Sequence, residues 1–159
     1  MDKGVFASND AQDLYYTKVL DNPNLDIAAR FWERERYNAF RVCCRSMRYL
    51  DDLVDSYRVS DRYGNERIAT AIDSELTAFL QGINGVVPAD GQFHDLIEIM
   101  TRFALPLWPW SRLVQAKRHD IRHCSFPRFI DFLRYCEGAA VAPAAVFIHL
   151  CGVKFVDGN

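Results

Sequence analysis

Between Pro23 and Gly64 the chain runs for forty residues without a proline or a glycine. Those two residue types are the strongest local breakers of regular structure, so a stretch this long without either must be mostly regular. No strand-like alternation of useful length runs through it, and its apolar positions recur at helical spacing. The pattern predicts one long helix from about residue 25 to about residue 57. The rest of the chain reads the same way. Helices are expected over about 9–20, 66–81, 93–103, 110–122 and 127–150, with a Gly/Pro loop over 82–91. Pro109 stands near the first position of its helix. Pro127 opens the last helix, Pro143 should kink it, and Gly152 should stop it. The expected fold class is all-α, a bundle of five or six helices.

Composition narrows the function classes. The 159 residues are 50% hydrophobic and 25% charged, which is the make-up of a single folded domain rather than a disordered chain. A net charge of −2 is too balanced for a bulk nucleic-acid binder. Five cysteines without a CxxC pair argue against a disulfide framework or a zinc finger and suit a reducing cytoplasm. No secretory leader is visible, and the most apolar stretch, 138–153, is too short to span a bilayer. Trp108 and Trp110 lie among Pro106 and Pro109. They suit either a loop packed on the core or a rest on a membrane surface.

The first chemical feature is Asp51-Asp52-Leu53-Val54-Asp55. With Asp51 at the origin of a helical wheel, Asp55 falls at about 40° and Asp52 at about 100°. Arg48 falls at about 60° and Arg41 at about 80°. These five residues share one wedge. The rest of the wheel, from about 200° to about 340°, holds Phe40, Cys43, Met47, Leu50, Leu53, Val54 and Tyr57. Three carboxylates in a turn and a half are hard oxygen ligands of the kind Mg²⁺ takes, and the arginines could meet a diphosphate. A solvated face, with Arg48 paired to Asp51 or Asp52 at i,i+3 or i,i+4, gives the same pattern.

His119-Asp120-Ile121-Arg122-His123 is the second feature. Two histidines at i,i+4 have a zinc-hydrolase look. Aspartate stands where the basic glutamate would be, however, and Lys117, Arg118 and Arg122 surround the pair. Contact with phosphate or solvent suits this cationic segment better. The third feature is Tyr135-Cys136-Glu137 followed by eight residues drawn from Gly, Ala, Val and Pro. Such a stretch permits close helix packing or leaves volume for a long apolar ligand.

Taken in order, Arg48-x-x-Asp51-Asp52-x-x-Asp55, then Asp120-Ile121, then Tyr135-Cys136-x-Gly138 with its small-residue tail resemble the squalene/phytoene synthase family. The resemblance covers most of the chain from about Tyr15 and is strongest over 129–152. It implies a helical bundle of the isoprenoid synthase type. It also implies head-to-head condensation of two prenyl diphosphates, farnesyl or geranylgeranyl diphosphate, in isoprenoid or carotenoid biosynthesis. Carried over by position, Asp51, Asp52 and Asp55 would bind Mg²⁺, with Asp51 and Asp55 taking part in ionising the diphosphate. Arg48 and Asp120 would contact substrate, and Tyr135 would lie in the reaction cavity. Leu14-Tyr15-Tyr16 falls where the family has a Ser-Phe-Tyr-like segment, which makes Tyr15 and Tyr16 substrate-binding candidates; the leading hydroxyl residue is missing. NADPH would be needed only if squalene is the product.

Family members are roughly twice this length, and their second aspartate-rich motif follows the closing helix. Here Asp157 stands alone beside Gly158. The resemblance therefore implies one partial domain over 1–159, a truncated bundle with little turnover on its own and part of its apolar surface exposed. A complementing second half, a second copy and a peripheral membrane contact are the partners this leaves open. The reading from a different class is a non-catalytic helical module that binds a partner.

Overall fold

The computed structural model describes residues 23–60, 66–85, 91–122 and 125–153, and every regular element among them is helical. The expected 9–20 helix lies outside the described residues. Helix α1 spans Pro23–Ala29, α2 Arg34–Ser60, α3 Glu66–Ile83, α4 Gly91–Arg102, α5 Trp108–Arg122 and α6 Phe129–Cys136. A π-helical turn, Glu137–Val141, joins α6 to α7, Ala142–Leu150. The all-α bundle expected from sequence is the observed architecture.

One boundary differs. The long helix expected from about residue 25 is broken at Arg30–Glu33 into α1 and α2. Phe31 and Trp32 donate to carbonyls three residues back, at Ala28 and Ala29, which tightens and ends α1. The cause is tertiary. Asp26 is 4% exposed and accepts hydrogen bonds from the Tyr37 hydroxyl and the Arg30 guanidinium, both at 2.8 Å. In an unbroken helix, residues eleven apart are separated by about 16 Å along the axis, so the Tyr37–Asp26 bond requires the chain to turn. Trp32 then sets its edge on Phe40, with ring centroids 5.8 Å apart. No proline or glycine marks this break.

Of the apolar arc read on α2, Phe40, Cys43, Met47, Leu50 and Val54 enter the core and Leu53 is half-buried against it. Against them pack Leu76 and Phe79 of α3, Leu96 of α4, Trp110 and Val114 of α5, and Val146 and Leu150 of α7. Helix α5 is central, touching α2, α3, α6, the π-helical turn and α7. Trp110 is fully buried at its start and Trp108 is half-buried, so the tryptophan–proline segment packs on the core. Burial pushes the thiols of Cys43 and Cys44 upward, Cys44 to about 12, and both are free.

Small residues act at the crossing of the π-helical turn over α5. A Cβ added to Gly138 would collide with the Arg112 carbonyl oxygen and lie 2.9 Å from the Ala116 Cβ. The expected kink at Pro143 is expressed as this π-helical turn: Ala142 donates to the Glu137 carbonyl five residues back. Pro143 has no N–H for the carbonyl four residues before it, and the wider turn relieves the clash of its ring with that carbonyl. Gly152 ends α7 at φ 95°, a left-handed conformation that glycine adopts without penalty. Arg36 of α2 donates to the Leu150 carbonyl and ties this end down.

Candidate functional site

Helix α5 offers two residues of one face, Lys117 and Asp120, toward α2 and α6. The spacing i,i+3 places them side by side. Lys117 Nζ lies 2.5 Å from Asp51 Oδ1 on α2 and 3.7 Å from Asp120 Oδ2. The Tyr135 hydroxyl, on α6, donates to the other oxygen of Asp120 at 3.0 Å. Three helices thus meet at one polar node, Asp51–Lys117–Asp120–Tyr135. The side chains of Lys117 and Asp120 are 16% and 12% exposed, whereas that of Asp51 is 39% exposed.

An aromatic run leaves this node. The Tyr135 ring lies 5.2 Å from Phe126, Phe126 5.4 Å from Phe132, and Phe132 6.2 Å from Phe129. His119 stacks on Phe126 at 4.6 Å, and its Nε2 is buried without a hydrogen-bond partner. No residue of α6 is buried, and Phe129, Ile130, Phe132 and Leu133 are all exposed. One end of the arrangement is charged; the other is an open apolar and aromatic strip.

The remaining sequence candidates fall as follows. Arg48 donates to Asp52 at 2.9 Å along α2. Asp52 and Asp55 are exposed. Tyr15, Tyr16 and His123 lie outside the described residues. The structure therefore brings together Asp51, Asp120 and Tyr135, while the neighbouring Asp52 and Asp55 are exposed. Lys117, which joins the set, was visible in the sequence only as one positive charge near His119. Its i,i+3 spacing to Asp120 was legible; its partnership with Asp51, far away in the chain, was not.

The carboxylates as arranged do not form a shell for the magnesium ion that the family resemblance implies. Asp51 is held by an ammonium and Asp52 by a guanidinium. Among the described residues no three His, Cys, Asp or Glu side chains are placed to hold a metal ion. A divalent cation needs several oxygens converging at about 2.1 Å, and an ion pair at the same carboxylate competes for them.

A cleft of about 270 Å³ opens elsewhere, between α3 and α5, lined by Thr70, Asp73, Ser74, Arg118, Ile121 and Arg122 among others. Its polar groups largely satisfy one another. Arg118 donates to Asp73 at 2.7 Å and Thr77 at 2.6 Å, while the Thr70 and Ser74 hydroxyls donate to backbone carbonyls. No described helix is long and apolar enough to cross a membrane. Compared with known proteins, the chain matches no family model, no curated protein and no solved structure.

Proposed function

We propose that this chain carries part of a prenyl-diphosphate site of the squalene/phytoene synthase type, serving head-to-head condensation of two prenyl diphosphates. The observation that carries the proposal is the convergence of Asp51, Asp120 and Tyr135, from three separate motifs, onto one node that opens onto an aromatic strip. The ligand of such a reaction has a matching division, a highly charged head and a long apolar tail. Lys117 supplies a cation for the head. Tyr135, Phe126, Phe132 and Phe129 offer ring faces to the tail and to positive charge developing on it. Tyr135 is oriented by its bond to Asp120, so its ring is held where the strip begins. The Mg²⁺, and for a squalene product only the NADPH, that the resemblance implies remain part of the proposal, while Asp51 and Asp52 as arranged are each held by a side-chain cation and form no metal shell.

Equilibrium binding tests this directly. Farnesyl and geranylgeranyl diphosphate should bind in the presence of Mg²⁺ about tenfold or more tightly than the corresponding alcohols, because the charged head is recognised. Replacing Lys117 with Gln should weaken the diphosphates and leave the alcohols unchanged. Alcohols bound as tightly as diphosphates would contradict the proposal. The exposure of Phe129, Ile130, Phe132 and Leu133 also favours a second reading, a non-catalytic module that docks a partner through α6. In that case Asp51→Ala would leave the partner complex intact and no prenyl diphosphate would bind.

A further inference from the structure

The cationic segment of α5 serves two sides of the bundle. Lys117 reaches Asp51 of α2, whereas Arg118 reaches α3 and, with Ile121 and Arg122, lines the cleft of about 270 Å³. Arg118 is gripped at one edge. Its Nε donates to Asp73 Oδ1 at 2.7 Å and its Nη2 to the Thr77 hydroxyl at 2.6 Å, and that hydroxyl donates in turn to the Asp73 carbonyl at 2.8 Å. These bonds fix the guanidinium plane and use two of its five N–H groups. Nη1 makes no hydrogen bond among the described residues. A tie between α3 and α5 needs the gripped edge alone, so the rest of this side chain is a fixed and unused donor. Arg122, exposed one turn further on, brings a second positive charge to the same lining. The opposite wall offers acceptors. The Thr70 and Ser74 hydroxyls spend their hydrogens on the Glu66 and Thr70 carbonyls, which leaves their oxygens free to accept. Asp73 Oδ2 makes no hydrogen bond among the described residues either.

We infer that this cleft binds a small phosphate monoester carrying hydroxyl groups, a polyol or sugar phosphate: Arg118 and Arg122 take the phosphate, and Thr70, Ser74 and Asp73 accept from the hydroxyls. The ligand class follows from the lining. Two guanidiniums call for an anion. A carboxylate has two oxygens and one guanidinium fork fills both, whereas the three terminal oxygens of a phosphate can engage two forks at once. The phosphate also brings a charge of about −1.5 to −2, enough to be held beside the Asp73 carboxylate. Three acceptor oxygens call for donors on the same molecule, which hydroxyl groups supply and a bare phosphate at neutral pH does not. A volume of about 270 Å³ is near the lower end for small-molecule sites, which suits a ligand of this size and not a nucleotide. Because Arg118 is oriented by Asp73 and Thr77 before anything binds, little of the contact energy is lost to ordering it. This site goes beyond the prenyl-diphosphate reading and does not use Lys117.

The test is isothermal titration calorimetry of the full chain with glycerol 3-phosphate, inorganic phosphate and glycerol. Glycerol 3-phosphate should bind about tenfold or more tightly than inorganic phosphate, and glycerol should give no binding heat. Arg118→Gln should weaken glycerol 3-phosphate about tenfold or more, the scale of one lost charge-assisted hydrogen bond. Arg122→Gln, at an exposed position, should weaken it in the same direction and carries the test if Arg118→Gln does not fold. Ser74→Ala, also at an exposed position, should weaken glycerol 3-phosphate severalfold and leave inorganic phosphate unchanged. Lys117→Gln should leave glycerol 3-phosphate affinity as in the wild type, which separates this cleft from the prenyl-diphosphate node. The inference would be overturned by absence of glycerol 3-phosphate binding, by equal affinity for inorganic phosphate, by wild-type affinity in Arg118→Gln or Arg122→Gln, or by loss of binding in Lys117→Gln. The first three results would leave the prenyl-diphosphate site standing, and the fourth would assign the phosphate to that node instead.

Discussion

The hydroxyl of Tyr135 donates to Asp120 at 3.0 Å and is a polar tie between α6 and α5, in a helix none of whose residues is buried. A helix of eight residues has little stability of its own, so its order depends on what anchors it.

Tyr135→Phe removes this tie and keeps the ring. A hydrogen bond to a carboxylate contributes about 1.5–3 kcal/mol, and among the described residues Asp120 would retain the Lys117 ammonium at 3.7 Å. The expected outcome is a modest fall in global stability by urea unfolding. Amide hydrogen exchange should accelerate far more in 129–136 than in α2. Uniform acceleration through the bundle would show that the bond does not hold α6 locally.

Gly138→Ala should be among the most damaging single substitutions. The new methyl has no room beside the Arg112 carbonyl and Ala116, and backbone rather than a flexible side chain must give way. The expected loss is about 3 kcal/mol, toward the upper end for overpacking. A compensating Ala116→Gly removes only one of the two collisions, so thermal unfolding should show partial rescue at most.

The Tyr37–Asp26 bond that breaks the long helix has a pH signature. Burial, and then the bond to Asp26, hold the Tyr37 hydroxyl above its ordinary value of 10.0. The neutral hydroxyl is thus favoured in the folded state. Its stabilisation is complete below the unfolded value and is lost as pH rises through the higher folded value. Tyr49, raised by burial and by the nearby Glu75, acts in the same direction. Unfolding free energies should therefore fall from about pH 10 upward. Tyr37→Phe should cost about 1–3 kcal/mol at neutral pH and make the alkaline fall shallower without abolishing it. An unchanged alkaline limb in Tyr37→Phe would rule out Tyr37 as a source of the fall.

How far the sequence carried these features depends on the range of the interactions involved. The apolar arc of α2 was legible because Phe40, Cys43, Met47, Leu50 and Val54 recur with the period of the helix itself. The Arg48–Asp52 pair was legible because it spans one turn. The break before Arg34 was not, since it is dictated by Tyr37 and Trp32 reaching Asp26 and Phe40 and by no local breaker. Pro143 signalled a distortion but not its form, a π-helical turn pressed onto α5 through Gly138. At the candidate site, Asp51, Asp120 and Tyr135 were each marked by local pattern. Their joining through Lys117 depends on how α2, α5 and α6 pack, which no spacing along the chain encodes.

The proposed function seats a charged head against Lys117 and lays its tail along Phe126, Phe132 and Phe129. The most direct measurement is photo-crosslinking with a farnesyl diphosphate analogue that carries a benzophenone on its tail, followed by mass-spectrometric mapping of the adduct. The expected result is an adduct within 126–135, suppressed by excess farnesyl diphosphate and lost in Lys117→Gln. An adduct elsewhere, or one that excess farnesyl diphosphate does not suppress, would contradict the claim.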